Sequence, residues 1–149
     1  VKIVRLDDKH IMGISIRTKN VDEMNPATAK IGALYQRFDK QVPVDYQNGA
    51  RVYGVYYNYE SDHSGEFSVL AGVDIIDPAL AEGLENVTLP AATYLVFEAT
   101  GEMPQVVIET WKTIWDYFSK PDVQYQRAYT TDFEFYKNQN EVAIHIAIK

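Results

Sequence analysis

The sequence predicts an α+β fold in which two ββαββ half-domains, about residues 1–76 and 85–149, form one antiparallel sheet about a pseudo-two-fold axis. Three observations predict it. Short runs of alternating apolar residues, rich in Val, Ile, Tyr and Phe, flank two longer stretches with helical spacing. The order strand, strand, helix, strand, strand occurs twice. Sliding the chain against itself by 80 residues superposes Phe38 on Phe118, Lys40 on Lys120, Tyr56 on Tyr136 and Asn58 on Asn138, with Leu34 over Ile114 and Tyr35 over Trp115.

The elements follow in order. Residues 2–6 and 10–19 read as strands, with Met12, Ile14 and Ile16 on one face and Asp7, Asp8 and Lys9 forming the turn. Ile31, Leu34, Tyr35, Phe38 and Val42 make one apolar stripe, predicting a helix over 26–41 with Asn25 as N-cap, Pro26 at its first position and Pro43 ending it. "RVYGVYYNYE" and "EFSVLAGVDI" form a hairpin around "SDHSG". A linker, "DPALAEGLE", precedes the second round. There "NVTLP" and "AATYLVFEATG" are strands, and Val107, Trp111, Ile114, Trp115 and Phe118 are the stripe of a second helix stopped by Pro121. "AYTTDFEFY" and "EVAIHIAI" close the pattern. A half-domain alone cannot close a core, so the halves should pack together with both helices on one sheet face, leaving a central groove between them. Clefts at such repeat interfaces suit small molecules.

Composition narrows the chemistry. The 149 residues suit a single domain, and 14 Lys plus Arg against 21 Asp plus Glu give a net charge of −7, which repels phosphate backbones. Direct nucleic-acid binding by this chain is therefore not expected. With no cysteine, thiolate chemistry, Cys-ligated zinc and iron–sulfur clusters are excluded. His10, His63 and His145 have no metal-ligand spacing, and no Gly-rich phosphate loop or Gly-x-Ser-x-Gly elbow occurs, so no metal, cofactor or nucleotide is expected. No apolar run approaches the length of a membrane span, and "VKIVRLDD" lacks an apolar signal region. A cytoplasmic location without membrane contact is the expectation, and the absent initiator Met leaves room for an excised piece.

Among 11 Tyr, 6 Phe and 2 Trp, most aromatic residues belong to strand packing, but some fit a pocket. Glu134 lies between two phenylalanines in "DFEFY", sharing its strand face with Asp132 and Tyr136. Parity alone makes it solvent-facing. Tyr136 on the same face, and Gly54 as the symmetry-related position, argue instead for a carboxylate in an aromatic cleft, a sensible receptor for a lipophilic cation. In a dry pocket the same acid would titrate upwards and could act as base or nucleophile. Trp111 is preferred to Trp115 as a lining residue because it aligns with the smaller Ile31. Tyr56 faces the groove with Gly54, whereas Tyr53 and Tyr57 take the other face. His145, between Ala143 and Ala147, reads as a structural strand histidine.

These features, namely the duplicated order, "YGVYYNYESDHSGEFSVLAGVDI", "LPAATYLVFEATG" leading to Trp111 and Trp115, and the late "DFEFY", resemble the GyrI-like small-molecule-binding domain over about residues 2–148. That family includes effector-binding domains of AraC-type and MerR-type multidrug-responsive regulators and stand-alone members. The resemblance implies a ligand in the central groove, an acidic pocket residue at Glu134 and the helix-two aromatic at Trp111. The expected ligand-binding set is Glu134, Trp111, Tyr136, Tyr56, Tyr35 and Gly54. Some relatives hydrolyse strained rings, so a hydrolase using Glu134 and Tyr136 is the alternative. An acidic interaction inhibitor of the gyrase-inhibitor type is a third. No helix-turn-helix reads in this stretch, so the expectation is either the sensor domain of a transcription regulator, with a DNA-binding module upstream of Val1 or on a partner protein, or a stand-alone small-molecule binder.

Overall fold

The computed structural model describes residues 1–149. Its strands are β1 Lys2–Leu6, β2 Lys9–Lys19, β3 Val52–Tyr57, β4 Glu66–Val73, β5 Glu85–Leu89, β6 Ala92–Thr100, β7 Thr131–Tyr136 and β8 Glu141–Ala147. Its α-helices are a single turn, α1 Asn20–Glu23, then α2 Ile31–Gln41 and α3 Gln105–Ser119. All eight strands join in one sheet of order β1-β6-β8-β7-β3-β4-β2-β5, and every named pairing is antiparallel. Reading that order from either end exchanges β1 with β5, β6 with β2, β8 with β4 and β7 with β3. The predicted duplication is therefore present, with its axis between β3 and β7.

Two local expectations are corrected. Residues 2–6 and 10–19 do not form a hairpin: β1 crosses to pair with β6, and β5 crosses back to pair with β2. Each half lends its first strand to the other, which interlocks the halves and buries an edge that either would otherwise expose. The first helix starts at Ile31, five residues later than Pro26. Asn25 caps a turn instead, its Oδ1 accepting from Ala27 N at 3.0 Å. The capping acceptor of α2 is Glu23, whose carboxylate takes Lys30 N at 2.9 Å and Ile31 N at 3.1 Å, a negative group where the helix dipole favours one. Both long helices end where proline demands: Val42 and Lys120 are extended, immediately before Pro43 and Pro121.

Both helices lie on the same sheet face, each over its own half. Leu34 and Phe38 of α2 pack on Phe67, Val69, Ala71 and Val73 of β4. Val106 and Ile114 of α3 pack on Leu95 and Phe97 of β6 and on Val142, Ile144 and Ile146 of β8. Leu34 and Ile114, superposed by the 80-residue repeat, are both fully buried. The other sheet face carries a third cluster that includes Ile11, Tyr53, Val55, Leu70, Tyr94 and Phe133. Strand alternation thus divides β3 and β7 as expected: Tyr53 and Phe133 face away from the helices, while Tyr56 and Glu134 face the space between them.

Candidate functional site

The central strands β3 and β7 pair with Gly54 directly across from Glu134. Because the repeat superposes these two residues, they sit on the symmetry axis itself, midway between α2 and α3. Glu134 is 1% exposed. Four neutral donors converge on its carboxylate: Tyr35 Oη from α2 at 3.2 Å and Tyr136 Oη from its own strand at 2.7 Å, both to Oε1, and Tyr56 Oη from β3 at 2.8 Å and Trp111 Nε1 from α3 at 2.7 Å, both to Oε2. Both helices and both central strands thereby converge on one acid. The rings also touch one another, with centroids 6.4 Å apart for Tyr35 and Tyr136 and 5.1 Å for Tyr56 and Trp111.

The electrostatics of this cluster are unusual. Burial pushes the Glu134 carboxyl above its ordinary range, against the opposing pull of the hydrogen bonds from Trp111, Tyr136, Tyr56 and Tyr35. Burial, followed by the neighbouring Glu134 charge, raises Tyr35, Tyr56 and Tyr136 well above the usual phenol range, so these hydroxyls remain donors. No cation lies within ion-pairing distance of Glu134. Asp132, two residues earlier on the same strand face, is the instructive contrast. It is equally buried, yet Arg127 Nη2 contacts it at 2.7 Å, and Tyr59 Oη and Ala147 N donate to it at 2.6 and 2.8 Å. One buried acid has a counter-charge supplied by the chain, and the other has only dipoles.

Above this floor lies a cavity of about 970 Å³, near the upper end of common ligand sites. Tyr35, Tyr56, Trp111, Glu134 and Tyr136 all line it. Trp115 lines it as well, 38% exposed, a turn beyond Trp111 with centroids 6.4 Å apart. Gly54 does not. The space a side chain would occupy there is already filled, since a Cβ would come 2.3 Å from Tyr35 Oη and 2.5 Å from Glu134 Oε1. Its contribution is to admit those two groups, not to open room for a guest. The repeat is also broken where it matters. Tyr35 reaches the acid from α2, whereas its counterpart Trp115 does not, and Trp111 reaches it from one turn earlier in α3.

Sequence reasoning missed the far end of the cavity, where Arg127, Tyr59 and His63 also form the wall. The available signal was Asp132, which shares the face of Glu134 and, buried there, requires a cation. His145 lies on the opposite sheet face, stacked on Phe133 with centroids 4.2 Å apart. Burial lowers it to about 4, although its hydrogen bond to Ala143 O opposes the shift. It is a neutral packing residue near pH 7. No group of three His, Cys, Asp or Glu side chains clusters as a metal site would require, and no helix is long and apolar enough to cross a membrane.

Comparisons with known proteins agree with this architecture. The model of the Cass2 family, integron-associated effector binding proteins, matches residues 2–148. YobU, a candidate transcriptional regulator of Bacillus subtilis, is 34% identical over 160 residues, covering 99% of this chain and 96% of that protein. The crystal structure of an integron cassette protein from the mobile metagenome of Vibrio cholerae superposes with a TM-score of 0.90 at 44% identity, covering 99% of this chain and 95% of that one. SAV2435, solved bound to tetraphenylphosphonium, shares the fold with a TM-score of 0.72 at 18% identity, covering 99% of this chain and 93% of that one. A duplicated sheet with an acid on its axis, a family match over nearly the whole length and a close full-length relative lead to one conclusion: the chain belongs to the Cass2 family of integron-associated effector-binding proteins and has the GyrI-like small-molecule-binding architecture.

Proposed function

We propose that the protein captures hydrophobic cationic small molecules in the cavity between α2 and α3, with Glu134 as the fixed counter-charge and Tyr35, Tyr56, Trp111 and Tyr136 as the ring surfaces, and that an attached or partner module reads out occupancy. The observation that carries the reading is the uncompensated acid. A buried carboxylate is costly, and four neutral hydrogen bonds offset only part of that cost. A guest cation supplies the missing charge, and aromatic faces add attraction that strengthens away from water. That SAV2435, a protein of the same fold, was solved with tetraphenylphosphonium supports the choice of ligand class. The hydrolase alternative has less support, because a base or nucleophile needs a free lone pair whereas this carboxylate already accepts four hydrogen bonds.

Tetraphenylphosphonium and tetraphenylborate have nearly the same size and shape and opposite charge. Titrating each into the protein while following tryptophan emission separates charge recognition from simple hydrophobic uptake. The expected result is saturable quenching by the cation, from Trp111 and Trp115, and at least a hundredfold weaker response to the anion. Equal uptake of both, or none of the cation, would overturn the proposal.

A further inference from the structure

The cavity has a second polar feature of opposite character. Arg127 is 8% exposed and lines the same cavity as Glu134. Its guanidinium hydrogen-bonds through Nη2 alone, to Asp132 at 2.7 Å and to Tyr59 Oη at 3.4 Å. Nε is buried without any partner. A guanidinium carries five N–H donors. One of them, on Nε, is enclosed at the cost of an unmade hydrogen bond. The pair on Nη1 has no partner in the chain and is not enclosed, which leaves it free to meet a guest. The group is also held in position. Its carbon sits 4.5 Å from the Tyr129 ring centroid and 6.0 Å from that of Tyr59. Tyr129 adopts φ 54°, a conformation a bulky residue rarely takes, and its hydroxyl lies 3.4 Å from His63 Nδ1.

We infer that the Arg127 end of the cavity is a hydrogen-bond-donor subsite, and that the preferred ligand is a lipophilic cation carrying a neutral acceptor, such as an ester or amide carbonyl, on an arm of four or five atoms. The charge of Arg127 is already balanced by Asp132, so the subsite offers directed N–H groups without net positive charge. That favours a carbonyl oxygen over a carboxylate, which would meet the Asp132 charge as well. The arm length follows from the strand: Asp132 and Glu134 are two residues apart on β7, about 7 Å along it. Ligands of this kind bind at both ends of one cavity, and discrimination among aromatic cations, which the tolerant ring surfaces provide poorly, comes from the acceptor.

The inference rests on the cation-binding reading, and the experiment separates the two. Calorimetry compares triphenylphosphonium bearing a plain alkyl chain with triphenylphosphonium bearing a chain of equal length ending in a methyl ester. The wild type should bind the ester compound about three- to tenfold more tightly, the range one well-made hydrogen bond supplies. In the double variant Arg127→Met with Asp132→Asn, which removes the buried pair together and keeps net charge constant, the two compounds should bind within about twofold of each other, whatever affinity they then share. A wild-type measurement covers the case in which that variant fails to fold: the ester compound, and not the alkyl one, should shift the Arg127 Nη–H resonances. Equal wild-type affinities, or an ester advantage that persists without Arg127, overturn the inference while leaving cation capture intact. Failure of both compounds to bind overturns the cation-binding reading and this inference with it.

Discussion

Replacing Glu134 with Gln isolates the charge at the cavity floor. Glutamine keeps the length and planarity of the side chain, and its carbonyl oxygen can still accept from Trp111 Nε1 while its NH₂ donates to tyrosine hydroxyls, which accept as well as donate. What disappears is one negative charge. The tyrosine hydroxyls lie 2.7–3.2 Å from the carboxylate oxygens, so they form one atomic layer above it. A cation resting on that layer is about 6 Å away, and at an effective dielectric of about 20 the lost attraction is roughly 2.8 kcal/mol. This corresponds to roughly a hundredfold loss of affinity for tetraphenylphosphonium. Because the acid is 1% exposed, the loss should change little between low and physiological salt, unlike that of a surface pair. Isothermal titration calorimetry at two ionic strengths measures both quantities, and a neutral aromatic guest should bind wild type and variant alike. An affinity for the cation within threefold of wild type in a folded E134Q protein would refute the reasoning.

Trp111→Phe keeps a ring but deletes the Nε1–H bond to Oε2. It should destabilise the fold by about 1–3 kcal/mol in urea unfolding, as expected when a hydrogen bond to a buried charged group is lost. Gly54→Ala drives a methyl group into Tyr35 Oη and the Glu134 carboxylate. A cost of about 1–3 kcal/mol, together with weaker cation binding, should follow, and unaltered thermal stability would contradict the packing described. For pH dependence, the folded state holds His145 at about 4, below its ordinary 6.5, so the unfolded chain takes up a proton first as pH falls. The His145 contribution is full above about pH 6.5 and is lost towards pH 4. His145→Phe should therefore lose less stability than wild type between pH 7 and 4.5 in parallel unfolding curves. Glu134 has the opposite sign: its raised carboxyl favours the folded state at low pH and penalises it as pH rises through the folded value. The stability difference between E134Q and wild type should accordingly widen in favour of the variant from pH 4 upwards.

Several features were legible because they repeat along the chain. Strand alternation placed Tyr56 and Glu134 on one face and Tyr53 and Phe133 on the other, and the structure keeps that division. Helical spacing identified the α2 and α3 stripes through Leu34, Phe38 and Ile114. The start of α2 was not legible, because its capping acceptor, Glu23, lies outside the helix and beyond an intervening turn. Nor was the exchange of β1 and β5, since an antiparallel neighbour can be supplied by either half and local pattern does not choose between them.

At the axis the division is sharpest. Periodicity alone determined that a repeat exists and that an acid and a glycine occupy equivalent positions in it, because both facts are properties of one-dimensional order. Only the tertiary structure decided that Gly54 admits Tyr35 instead of enlarging the cavity, that four dipoles face Glu134 where a guanidinium faces Asp132, and that Arg127 keeps unused donors. Those outcomes depend on which side chains from distant segments reach the same few cubic ångströms, and on how much water is left there to screen their charges.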